Sequence, residues 1–246
     1  MRKLLLPISL IYSFVLFLRH KLYDWHILKS KSFDIPNICV GNLNLGGTGK
    51  TPHAEYLLSY LSKRVTTAYL SRGYKRLTAG FRIADEKSSA STIGDEAYQI
   101  YRKFENVIVA VDGNRVNALK KLQQHKVAPK IVVLDDAYQH RALRPDLNIL
   151  LIDYNRLTYR DSMLPLGELR ESSQNTDRAD IIIFTKCPNT MQPVDMLSTR
   201  TQISPFPYQT LYYTSLSYKE PIGLFTNKKL DLYGKEVLLV TGIAQP

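Results

Sequence analysis

Asn37-Ile38-Cys39-Val40-Gly41-Asn42-Leu43-Asn44-Leu45-Gly46-Gly47-Thr48-Gly49-Lys50-Thr51-Pro52 is the stretch that decides the fold. A short apolar run leads into a glycine-rich turn, and Lys50-Thr51 then opens a helical pattern. Strand, turn and helix in that order make a phosphate-binding loop, because the turn's backbone N–H groups and the helix N-terminus converge on an anion. The cradle is assigned to Asn44, Leu45, Gly46, Gly47, Thr48 and Gly49, with Lys50 reaching the outer phosphates and the Thr51 hydroxyl placed to hold Mg²⁺. The strict pattern has glycine where this chain has Asn44. Asparagine tolerates left-handed backbone angles better than most residues, so the turn is expected to survive the exchange.

Outward from this loop, strand and helix signals alternate. Strands are expected at Ile35–Gly41, Val65–Leu70, Val107–Val111, Ile131–Leu134, Leu147–Ile152 and Ile181–Phe184, with a short extra one at Phe81–Ala84. Helices are expected at Lys50–Leu61, over 94–105 and over 114–125, where Val116, Leu119 and Leu122 recur with helical spacing. Alternation with fully apolar strands predicts an α/β fold: a P-loop NTPase-like, mostly parallel sheet with helices on both faces. Ligands of such sheets bind at the carboxyl ends of the strands, where every motif below falls. The kinase-type domain is assigned to residues 31–205. Prolines 205, 207 and 221 punctuate a Tyr-, Thr- and Ser-rich stretch, read as strands leading out of that domain. Glu236–Thr241 reads as a fresh strand, so residues 206–246 are expected to open a second, smaller α/β domain, and the chain reads as the front of a longer protein.

Ile131-Val132-Val133-Leu134 ends in Asp135-Asp136. A carboxylate at the tip of a buried strand is what a P-loop enzyme uses to hold Mg²⁺, so Asp135 is the first metal candidate and Asp136 the second. Gln139 and His140 follow closely enough to lie near the phosphates. Gly94-Asp95-Glu96 places two acids at a helix start, where acids commonly serve as caps. A kinase also needs a carboxylate to orient a hydroxyl and take its proton, and Asp95 is the candidate. Arg72, between a strand and Gly73, is placed to meet a substrate phosphate. Leu164–Glu171 is a loop dense in turn signals and charge.

The chain has 246 residues, enough to bury a sizeable core, and 33 Lys+Arg against 22 Asp+Glu give a net charge of +11. That excess fits a phosphate-bearing or anionic partner. No basic patch is interleaved with aromatics, so a nucleic-acid partner is not expected. Two cysteines without a CxxC pair point to buried thiols in a reducing compartment and to no cysteine metal site. Leu4 to Leu18 carries no charge and is flanked by Arg2-Lys3 and Arg19-His20-Lys21. It is shorter than the ~20 residues of a membrane span and lacks a cleavage site. Residues 1–30 are therefore read as a membrane-associated helix lying on or dipping into a lipid surface.

Taken together the motifs resemble the tetraacyldisaccharide 4'-kinase (lipid A 4'-kinase) family. The resemblance lies in Val40-Gly41-Asn42 with Gly46–Pro52, Ser71-Arg72-Gly73-Tyr74, Gly94-Asp95-Glu96, Asp135-Asp136 with Gln139-His140, Pro165 to Glu171, and Thr241-Gly242-Ile243-Ala244 with Pro246. Ala97 and Ala137 depart from the family's usual Pro and Gly. The resemblance implies transfer from ATP, with Mg²⁺, to the 4'-hydroxyl of an acylated glucosamine disaccharide 1-phosphate, giving lipid IV-A at the cytoplasmic face of the bacterial inner membrane. It implies an acid–base role for Asp95, and substrate or supporting roles are assigned to Arg72, Glu96, Gln139, His140 and Glu171. One rival is a membrane-bound regulatory ATPase of the partitioning type, but Leu45 stands where such proteins carry an extra lysine. A GTPase is a second, but Pro188 stands where the guanine-reading Asp after Lys186 belongs.

Overall fold

The computed structural model describes residues 5–217, 220–223 and 228–238. Among the described residues eight strands form a single sheet: β1 (Asn37–Asn42), β2 (Thr67–Ser71), β3 (Arg82–Ile83), β4 (Val107–Val111), β5 (Ile131–Asp135), β6 (Leu147–Asp153), β7 (Ile181–Thr185) and β8 (Thr210–Tyr213). Their order is β3-β4-β2-β5-β1-β6-β7-β8. Every pairing is parallel except β3 with β4, where Arg82 lies opposite Val111 and closes the edge. The α/β, mostly parallel expectation is met.

Side-chain alternation divides the core into two layers. Cys39, Ala68, Leu70, Val132, Leu134, Leu150 and Ile152 point to one face, where Ala118, Leu119 and Leu122 of helix α5 (Arg115–Gln123) pack. Val40, Tyr69, Val109, Val133, Ile149 and Leu151 point to the other, against Ala54 and Leu58 of α2 (Lys50–Leu61) and Ala97 and Ile100 of α4 (Asp95–Lys103). Both faces of β1, β2 and β5 are thus buried, which is why they read as unbroken apolar runs. At the roughly 25 cal/mol per Å² that apolar burial contributes, these layers hold the sheet together and fix its register.

Several elements differ from expectation. The helix expected over 94–105 is α4, and a one-turn helix the sequence reading left out, α3 (Ala90–Ile93), precedes it across Gly94 at φ 89°. Pro193 starts a helix the sequence reading left out, α6 (Pro193–Ile203), with proline in the first turn, where its missing N–H costs nothing. The stretch expected to leave the domain after residue 205 instead returns and adds β8 to the sheet, with Ile181 opposite Thr210 and Phe184 opposite Tyr213. Phe184 and Tyr213 stack at 5.1 Å, which seats the new edge. The sheet therefore runs past the 205/206 boundary. Residues 236–238 form no strand, and 239–246, with the rest of that expected strand and the Thr241 to Pro246 motif, lie outside the described residues, as do Arg2 and Lys3.

The N-terminal helix α1 (Leu6–Asp24) buries only Ser9 and His20. Ile11 and Phe14 are 66% and 65% exposed, and Ile8, Leu10, Val15 and Phe17 are also exposed, so α1 is not an ordinary core helix. Among the described residues no helix is long and apolar enough to cross a membrane.

Candidate active site

The phosphate-loop elements meet at the carboxyl edge of the sheet. β1 runs to Asn42, the loop turns through Gly46 (φ 73°), and Gly49 (φ 84°) precedes the first residue of α2, Lys50. No side chain caps α2, so its first-turn N–H groups are left to an anion. Asn44 does not take a left-handed conformation, contrary to the sequence expectation; the two glycines do that work. Asn44 instead bridges antiparallel to Leu169, and its Nδ2 donates to Asp161 (3.2 Å). Leu45 N–H donates to the Glu168 carbonyl (2.8 Å), and Arg170 N–H to the Leu43 carbonyl (2.7 Å). The 161–170 segment thus clamps the loop from outside. Thr185 Oγ donates to the Thr48 carbonyl (3.0 Å) and ties the loop to β7. Lys50 Nζ donates to Asn42 Oδ1 (3.2 Å) and lies 3.5 Å from Asp136 Oδ1.

Next to the loop, the two aspartates have opposite electrostatics. Asp135 is 1% exposed. Its Oδ2 accepts from the Tyr69 hydroxyl (2.6 Å), while its buried Oδ1 has no partner. Burial pushes its pKa up to about 6; the Tyr69 hydrogen bond pulls down, and Glu96 and Asp136 push further up. Asp136 (φ 48°) receives Arg170 Nη1 on both oxygens at 3.1 Å. Burial raises its pKa too, but Lys50 and Arg170 overrule it and hold the carboxyl below its ordinary value. Among the described residues no three His, Cys, Asp or Glu side chains cluster as a metal cage. The Thr51 hydroxyl, the unpartnered Asp135 Oδ1 and Asp136 suit a cation that keeps its waters and takes few protein ligands, as Mg²⁺ does.

Two further loops close on this edge. Gly73 (φ 68°) follows β2, and Gly94 precedes α4. A Cβ at Gly94 would sit 2.9 Å from the Gly73 carbonyl carbon and from the Tyr74 oxygen, so the loops touch backbone to backbone. This seam places Arg72 and Asp95 on adjoining loops. Asp95, exposed at the start of α4, accepts no hydrogen bond and pairs with no cation among the described residues. Desolvation raises the pKa of Glu96 while Lys50 lowers it, so Glu96 also faces the loop lysine. Gln139 Nε2 donates to the Asn42 carbonyl (2.7 Å) and braces the end of β1. His140 is driven down to about 4 by burial and by Arg115, Arg19 and Arg72, which ring it with positive charge.

Glu171 is not with the phosphates. It is 1% exposed beneath α1, where His20 Nε2 lies 3.4 Å away and Arg178 pairs with its other oxygen. Sequence reasoning missed Tyr69 and gave no role to Arg170, Arg115 or Asn42. Tyr69 carried a signal: a hydroxyl in an otherwise apolar, doubly buried strand must find a partner. A groove of about 610 Å³ opens at the opposite ends of β2 and β4 among Ser62 to Thr66, Asn106 and His125. It has no paired acids and no glycine turn, so the chemistry belongs to the open rim above the P-loop.

The sequence signature of a family described as tetraacyldisaccharide-1-P 4'-kinase matches residues 1–246. The tetraacyldisaccharide 4'-kinase of Bacteroides thetaiotaomicron is 46% identical over 257 residues, covering 99% of this chain and 68% of its own length. That of Phocaeicola vulgatus is 46% identical over 252 residues, covering 99% and 69%. A solved structure of LpxK from Aquifex aeolicus in complex with ATP is similar with a TM-score of 0.69 at 39% identity, over 74% of this chain and 58% of that one. The chain thus spans about two thirds of the length of its curated relatives and less of the solved one.

Proposed function

Because this chain belongs to the tetraacyldisaccharide 4'-kinase family, we propose that it carries the site for transfer of the γ-phosphoryl group of ATP to the 4'-hydroxyl of a tetraacyldisaccharide 1-phosphate, giving lipid IV-A. The observation that carries this reading is the meeting, at one edge of the sheet, of a P-loop lysine, an unpaired carboxylate and a ring of arginines beside an apolar surface helix.

In the proposed mechanism the N–H groups of Gly46 to Thr51 wrap the β- and γ-phosphates. Lys50 leaves its contact with Asp136 for the γ-phosphoryl oxygens and stabilises the charge that spreads over them in the transition state. Mg²⁺, when bound, supplies further neutralisation of the phosphate oxygens; Thr51, Asp135 and Asp136 would hold it. Asp95 accepts the proton of the attacking hydroxyl, and no neighbouring cation competes for its carboxylate. Arg72 meets the acceptor's own phosphate, and neutral His140 beside it leaves the positive charge there to the arginines. The clamp of 161–170 over the loop keeps the reacting atoms in line, which is where most of the catalysis of phosphoryl transfer resides.

The exposed apolar side of α1 is assigned to the lipid surface, with Lys21 beside it, at the cytoplasmic face of the inner membrane. Leu45 in place of an added lysine argues against the partitioning-type ATPase. The test is incubation of the full-length protein with γ-labelled ATP and the acylated disaccharide monophosphate in detergent micelles. Label in the lipid product supports the assignment; release of inorganic phosphate alone would overturn it.

A further inference from the structure

Helix α1 has a second side, and it does not face lipid. Ser9, Tyr12, Arg19 and His20 fall on one stripe of it. Ser9 Oγ donates to the Met163 carbonyl (2.8 Å), the Tyr12 hydroxyl to the Arg170 carbonyl (3.0 Å), and Arg19 Nη2 to the Gln139 carbonyl (3.3 Å). Two of these acceptors belong to residues that hold the phosphate loop with their other groups. Arg170 donates its N–H to Leu43 at the loop's start (2.7 Å) and sets its guanidinium on Asp136, which lies 3.5 Å from Lys50. Gln139 donates its amide to the Asn42 carbonyl (2.7 Å), and the Asn42 side chain accepts from Lys50 (3.2 Å). Two relays, Tyr12–Arg170–Asp136 and Arg19–Gln139–Asn42, therefore start on α1 and end at the same lysine.

We propose that Tyr12 and Arg19 are positioning residues for the phosphate-binding loop, so that the helix that meets the lipid surface also sets the affinity for nucleotide. A helix serving only as a greasy anchor needs neither bond. Its outer residues would suffice, and His20 with Glu171 and Asp24 with Arg141 already pin its C-terminal end. Both acceptors are main-chain oxygens, so each bond fixes the backbone of the residue that grips the loop. The inference rests on the reading of Lys50 and its loop as the nucleotide site.

The test uses the full-length protein in detergent micelles, without acceptor, and a non-hydrolysable ATP analogue with Mg²⁺. Tyr12→Phe removes one hydroxyl and is expected to weaken the analogue about fivefold, the loss of one hydrogen bond. Adding Arg19→Met is expected to weaken it further. In turnover, Tyr12→Phe should raise KM for ATP and leave KM for the lipid acceptor unchanged. Phe14→Ser, on the outer side of α1, should leave the analogue's affinity as it was. Wild-type affinity in both inner-face variants would overturn the inference, as would an equal loss in Phe14→Ser or an equal rise in KM for the lipid acceptor in Tyr12→Phe. No uptake by the wild-type protein would overturn the nucleotide reading itself, and this inference with it.

Discussion

Asp135→Asn is expected to make the ligand-free protein more stable while destroying its activity. The folded pKa of Asp135 is about 6 against an ordinary value of 3.8. At neutral pH the carboxylate is ionised in both states, but the folded state bears the cost of holding the charge in a buried place. The sign follows from proton uptake: between these two values the folded state binds more protons, so this contribution to stability is present at low pH and is lost as pH rises through the folded pKa. The difference corresponds to something on the order of 3 kcal/mol. Asparagine keeps an oxygen for the Tyr69 hydroxyl, and its amide lies in the field of Glu96 and Asp136, which repels the carboxylate. Relief of this strain should raise the thermal midpoint by about 5–10 °C for a chain of this size. The measurement is thermal or urea unfolding of the full-length protein with chelator and no nucleotide. Wild type and variant should differ at pH 7.5 and converge toward pH 4. Turnover should fall by about a hundredfold or more, since a carboxylate that would hold Mg²⁺ at the reacting phosphates is gone. A variant less stable than wild type at pH 7.5, or an equal gain at both pH values, would refute the reasoning.

Other outcomes follow from the same geometry. Asp136→Asn should destabilise at neutral pH, the opposite of its neighbour, because Lys50 and Arg170 hold the Asp136 carboxyl ionised; denaturant midpoints of the two variants in parallel check this. Tyr69→Phe removes the bond that lowers the Asp135 pKa, so the acid limb of the pH–rate profile should move to higher pH by on the order of one unit; an unmoved limb counts against a metal role for Asp135. Lys50→Ala should lose both ATP-analogue affinity and turnover, whereas Asp95→Ala should bind the analogue normally and fail only in transfer, which calorimetry and label transfer together distinguish. Gly41→Ala would put a methyl carbon 2.5 Å from Tyr138 Cβ and should cost about 1–3 kcal/mol in unfolding free energy by forcing the loop after β5 off β1.

The parts of the fold legible in the sequence are those buried on both sides. β4 and α2 match their expected bounds, Val107–Val111 and Lys50–Leu61, because continuous apolar runs and a clean helix start leave little choice. β8 was not legible as part of this sheet. Thr210–Tyr213 alternates exposed and half-buried residues, the pattern of an edge strand, and the prolines nearby disguise it. At the candidate site, the loop, Lys50, Asp135, Asp136 and the Gly94-Asp95-Glu96 turn are set by short-range grammar, and all lie at the carboxyl edge of the sheet. The contacts of Asn44, Glu171 and Tyr69 were not legible, because each is defined by a partner far away in sequence: Asp161 for Asn44, His20 for Glu171, Asp135 for Tyr69. Local patterning gives the residue type that chemistry needs, but not which buried polar group it will meet.

The contact between Gly73 and Gly94 carries a mechanical consequence. Two strips of main chain pressed together have no rotamers to exchange and no slack to take up, so the ribbon bearing Arg72 and the helix start bearing Asp95 must tilt as one plate. On the roles proposed for Arg72 and Asp95, an acceptor that drew the guanidinium toward its anionic end would also swing the carboxylate toward its alcohol. Recognition at one end of the sugar and deprotonation at the other would then be geared together, with the gearing done by the absence of side chains.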